Sequence, residues 1–105
     1  MIRHCVFIRF KPSFTRAERK TIFAEISALK GRLPGLLAVH TGTNVSPETG
    51  MDKGFAEGFM VDFAGVAASE TYQNDPAHKA TGAKIVAAAE GGLAGILVFD
   101  LVVAG

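Results

Sequence analysis

The sequence predicts a single α+β domain in which four strands form one antiparallel sheet with helices on one face. Three observations predict it. Residues 2–10 and 55–63 alternate with period two, helix-start signals stand at Thr15 and Asp75, and a nearly all-apolar run closes the chain from Ile96 to Val103. With a further strand over 36–45, the order becomes β-α-β-β-α-β, the split βαβ or ferredoxin-like arrangement. At 105 residues and 49% hydrophobic, the chain is long enough for one cored domain and too short for two, so the domain is taken as 1–105.

The first strand carries Ile2, His4, Val6, Ile8 and Phe10 on one face, leaving His4 on an otherwise apolar surface. Pro12 ends it. Thr15 and Glu18 form a capping box that opens a helix with the apolar stripe Ile22, Ile26, Leu29 and Leu33, flanked by Phe23. Pro34 and Gly35 break that helix, and the turn residues from Ser46 to Gly50 end the strand that follows. In the third strand Glu57 is the odd member of a face made by Phe55, Phe59, Val61 and Phe63. Val66 to Tyr72 suits a short helix, and Asp75-Pro76 opens a longer one to about Glu90, stopped by Gly91 and Gly92. The last strand has too few polar residues to face water, so it is expected to be buried on both faces.

Helices on one side leave the sheet's other face bare, and the apolar residues there predict a homodimer packed sheet against sheet. Eleven basic and ten acidic residues give a net charge of +1, which offers no field for nucleic acid or membrane surfaces. The lone Cys5 has no internal disulfide partner, no signal-peptide pattern is seen, and no apolar run approaches the ~20 residues of a membrane span, so a cytoplasmic location is expected.

Chemistry, if present, is expected at Tyr72 to His78. Asp75 is a good N-cap, Pro76 suits the first helical position, and His78 falls at the third. The helix start disfavours imidazolium there, leaving the neutral ring that a general base needs. His78 shares a helical stripe with Gly82, Ile85 and Ala89 and should point toward the sheet and His4. Tyr72 would then donate to the oxygen of a developing enolate while His78 takes the proton. The ordinary alternative is that both rings are structural. His40 has no evident partner, no helix carries metal-ligand spacing, and no glycine-rich phosphate loop is present, so neither metal nor cofactor is expected.

These segments together resemble the stress-responsive A/B barrel (Dabb) family of the dimeric α+β barrel superfamily. The resemblance rests on Met1-Ile2-Arg3-His4, Gly42 to Glu48, Lys53-Gly54-Phe55, Asp75-Pro76-Ala77-His78 and Leu97-Val98-Phe99-Asp100, in that order. It implies a homodimeric barrel. A plant branch of the family resembles this chain and closes polyketide rings by cofactor-free aldol condensation. The resemblance implies that Tyr72 and His78 carry acid–base chemistry, and it matches His4 to the family's first-strand histidine. Where that branch has a third histidine, this chain has Glu57.

The expected site is one small apolar pocket between helices and sheet, with His78 and Tyr72 catalytic and with His4, Phe23, Glu57 and Ile85 binding an apolar or aromatic carbonyl compound. The reaction class would be cyclase, lyase or isomerase. A non-catalytic stress-response homodimer is the main competitor, and a cofactor-free monooxygenase is a related option. RNA-recognition domains share the strand order and the Lys53-Gly54-Phe55 opening, but Glu57 stands where a stacking aromatic belongs and there is no basic surplus.

Overall fold

The computed structural model describes residues 1–104. It contains β1 (Ile2–Ile8), α1 (Arg16–Ser27), β2 (Leu36–Thr43), β3 (Glu57–Phe63), α2 (Val66–Asn74), α3 (Pro76–Ala88), a 3-10 turn (Gly92–Gly95) and β4 (Ile96–Val102). The strands make one antiparallel sheet in the order β2-β3-β1-β4. This is the ferredoxin-like α+β fold.

Alternation along the strands sorts the side chains. Ile2, His4, Val6 and Ile8 lie in register with Phe63, Val61, Phe59 and Glu57 of β3, on the face beneath the helices. Ile22 and Ile26 of α1, Tyr72 of α2 and Ile85 of α3 pack onto Val6, Ile8, Phe59, Val61 and Phe63 as one core. Each fully buried aliphatic or aromatic side chain there stabilises the fold by about 1.5–3 kcal/mol. The capping box at Thr15 forms in both directions, with Glu18 N–H donating to Thr15 Oγ1 at 3.2 Å and Thr15 N–H donating to Glu18 Oε1 at 2.9 Å. Gly35 adopts φ +78° where α1's exit enters β2, and a Cβ there would meet the Ala68 Cβ at 2.6 Å. A turn and a close approach to α2 thus both require glycine.

Two elements are shorter than the alternation suggests. α1 ends at Ser27, and Leu29 and Leu33 follow in turns while still facing the core. β3 begins at Glu57, leaving Phe55 in the preceding loop beneath the Arg9 guanidinium. The expectation for the last strand is corrected more strongly. β4 is an edge strand, and everything from Leu97 to Val102 is exposed in the single chain. The strand is largely apolar on both sides, yet among the described residues nothing buries either side of it beyond Ile96.

That other face carries Arg3, Cys5 and Phe7 of β1, Met60 and Asp62 of β3, and Leu97, Phe99 and Leu101 of β4. Asp62 is buried within it. Arg3 holds the carboxylate with two bonds of 2.7 and 3.1 Å, and His40 Nε2 lies 3.2 Å from Oδ2, so His40 has the partner that the sequence did not reveal. The Arg3 guanidinium keeps Asp62 below the usual carboxylate range despite its burial.

Candidate functional site

Three of the predicted site residues meet under the helices. His4 is buried at the centre of β1, and β4 places Asp100 directly opposite it, with His4 Nδ1 2.6 Å from Asp100 Oδ1. The end of α2 brings Tyr72 over His4, with ring centroids 5.6 Å apart at 67°. Asp75 then ends α2 and caps the start of α3. Its carboxylate accepts the His78 backbone N–H at 2.9 Å and an Arg32 N–H at 2.8 Å, which together hold it below the ordinary aspartate range. His78 therefore lands against Tyr72, with ring centroids 3.8 Å apart and planes inclined by 34°.

The electrostatics separate the two rings into different roles. Burial pushes the Tyr72 hydroxyl well above its ordinary value, so it stays protonated and keeps a proton to donate. Burial also lowers the pKa of His78, the nearby His4 adds to the shift, and Asp75 and the Tyr72 backbone oppose it. The neutral imidazole follows, but desolvation is the leading cause rather than the helix start anticipated from the sequence. Among the described residues, the Tyr72 hydroxyl and His78 Nδ1 are buried without any hydrogen-bond partner. Such atoms cost roughly 1–3 kcal/mol each and are uncommon in folded proteins.

The other predicted binding residues lie elsewhere, so the expectation of a single pocket is corrected. Glu57 is four residues from Val61 along β3, about 13 Å by strand geometry, and the intervening inward residue Phe59 is buried. Core packing thus divides the space. Phe23 and Glu57 line a separate cleft of about 150 Å³ between α1 and the end of β2. Glu57 accepts a 2.7 Å bond from Arg19 there. Ile85 is a core residue. A larger cleft of about 470 Å³ opens on the uncovered sheet face beside Phe7, His40, Met60 and Leu97, and neither Tyr72 nor His78 lines either cleft.

Asp100 was not singled out as a site residue by sequence reasoning. A signal existed: it is the one charged residue in an otherwise apolar strand, and only the β1–β4 register shows that it faces His4. No group of three or more His, Cys, Asp or Glu among the described residues is arranged to hold a metal ion. No helix of the described residues is long and apolar enough to cross a membrane.

The backbone is similar to several solved structures. A dimeric ferredoxin-like protein of unknown function from Jannaschia sp. CCS1 is 29% identical, with a TM-score of 0.90 over 97% of this chain and 98% of that one. A Dabb family protein with a ferredoxin-like fold from Mesorhizobium loti is 25% identical, with a TM-score of 0.75 over 99% and 97%. The hydroxynitrile lyase from Passiflora edulis is 22% identical, with a TM-score of 0.83 over 98% and 93%. Among curated proteins none matches. The family model of the stress responsive A/B barrel domain matches residues 2–103, and with nearly every residue so covered, the chain belongs to the Dabb family.

Proposed function

We propose that two copies of this chain pack through their uncovered sheet faces and that His4, Tyr72, His78 and Asp100 perform cofactor-free acid–base chemistry on a small apolar or aromatic carbonyl compound. The observation that carries the catalytic half is the pair of partnerless atoms, Tyr72 Oη and His78 Nδ1, on rings in contact. A neutral His78 accepts the proton alpha to a carbonyl, and the protonated Tyr72 donates to the enolate oxygen. His4, held by Asp100, orients the substrate. Tyr72 is sealed from solvent while His78 is only half-buried, so substrate enters by displacing the His78 ring. The Passiflora enzyme supports the reading to the extent that the same fold hosts a lyase.

The dimer reading rests on Leu97, Phe99 and Leu101, each at least 40% exposed on one apolar sheet face, and on the dimeric state of the Jannaschia protein. Light scattering should give twice the 11.0 kDa chain mass, and Phe99→Asp should halve it. A specific observation favours a second reading, a homodimer without catalysis: Tyr72 is fully buried and lines neither of the two clefts described above. Deuterium wash-in alpha to the carbonyl of pentane-2,4-dione and a series of aryl ketones separates the two. We expect exchange faster than buffer with the protein, lost in His78→Ala and Tyr72→Phe while both stay dimeric. Exchange at the buffer rate across the series would leave only the assembly role.

A further inference from the structure

We propose that Arg32, in the turn that follows α1, is a positioning residue for the acid–base centre: its guanidinium holds the Asp75 carboxylate and so fixes the His78 ring against Tyr72. The inference rests on the acid–base reading of those two rings. His78 Nδ1 is buried without a partner, so the ring depends for its place on its own backbone and on contact with Tyr72. Both rings are tied to Asp75. Its N–H donates to the Tyr72 carbonyl at 3.2 Å, and its carboxylate Oδ2 accepts the His78 N–H at 2.9 Å. One residue thus ends the helix that carries the acid and caps the helix that carries the base.

Arg32 reaches this joint from a third element. Its Nη2 donates to the same Oδ2 at 2.8 Å, across 43 residues of sequence. The Asp75 side chain is 8% exposed and that of Arg32 51%, so the carboxylate is drawn out of water while its counter-ion is not. A buried carboxylate without a counter-charge favours states in which it reaches water, and here those states would move the first turn of α3. The tether's other end is anchored: Arg32 N–H donates to the Leu29 carbonyl at 3.1 Å, and Leu29 belongs to the core. Thr15 makes the contrast, since it caps α1 with Glu18 of that helix's own first turn.

The charges around the imidazole set the sign of the test. His78 faces Tyr72 of α2 and His4 of β1, with Asp100 of β4 behind His4, Asp75 at its own helix start, and Arg32 beside Asp75. Asp75 favours imidazolium and Arg32 offsets that charge, so removing Arg32 should raise the pKa of His78.

Nuclear magnetic resonance of the full chain with 13C-labelled histidine reads the ring directly, because the Tyr72 ring current displaces the signals of a ring 3.8 Å away. In Arg32→Ala that displacement should shrink, the titration midpoint of His78 should rise, and wash-in into the ketones should slow on the order of tenfold. Asp75→Ser keeps an N-cap without the charge, and in that background Arg32→Ala should change none of the three. The proposal is overturned if Arg32→Ala leaves the His78 signal and midpoint at their wild-type values, or if its effect persists undiminished in Asp75→Ser. The spectrum requires no turnover, so absent wash-in with the wild-type chain would sink the acid–base reading while the tether is still tested.

Discussion

The two ends of the helix-covered sheet face are built on opposite principles. At the Tyr72 end, aromatic rings pack in contact and two polar atoms are buried with no partner; at the Phe23 end, the packing opens and the inward charge, Glu57, is matched by Arg19. Beside Tyr72 the buried His4 is matched by Asp100, while the Tyr72 hydroxyl and His78 Nδ1 have no partner. Polarity is more costly in the dry region, and it is there that burial lowers the pKa of His78 and raises that of Tyr72.

The contrast can be broken by substitution. Tyr72→Ala should be the most damaging change, destabilising by about 3–5 kcal/mol in urea denaturation, whereas Phe23→Ala at the open end should cost less than half as much. Tyr72→Phe should move the other way. Removing a sealed, partnerless hydroxyl should raise stability by about 1 kcal/mol, and a loss of stability would mean that the hydroxyl has a partner. For His78 the sign follows from linkage. Its folded pKa lies below the ordinary 6.5, so the unfolded chain binds more protons between the two values and stability falls as pH is lowered through that window. Thermal denaturation from pH 7.5 down to 5 should show this loss, and His78→Phe should flatten it. Glu57→Gln should have the smallest effect, under about 1 kcal/mol, because its ion pair with Arg19 is partly solvated.

Local chemistry made much of the fold readable. Thr15 and Glu18, Asp75 and Pro76, and the alternation around His4 and Phe59 each specify a local geometry that the tertiary structure keeps. The meeting of His4, Tyr72 and His78 under the helices was legible for the same reason, since periodicity gives the face on which each lies. What periodicity does not give is depth along that face. Phe23 and Glu57 share the face of His4 but lie nearer its other end, and only side-chain volume between them decides whether a cavity runs through. The exposure of β4 in the single chain was not legible because an apolar strand has the same composition whether or not its own chain covers it. Asp100 was overlooked because its meaning lies in a register across 96 residues.

That register also sets a timetable. His4 and Asp100 belong to β1 and β4, the first and last strands made, so during synthesis at ordinary rates roughly 5–20 s separate their emergence across a sequence distance of 96 residues. β1, a central strand, therefore has neither sheet partner until β3 is made and keeps one flank unpaired until β4 follows. Until β4 docks, His4 has no carboxylate, and β1 offers a bare edge to any neighbouring nascent chain. On the ribosome, His4 gains its carboxylate and β1 its second flank in the same event.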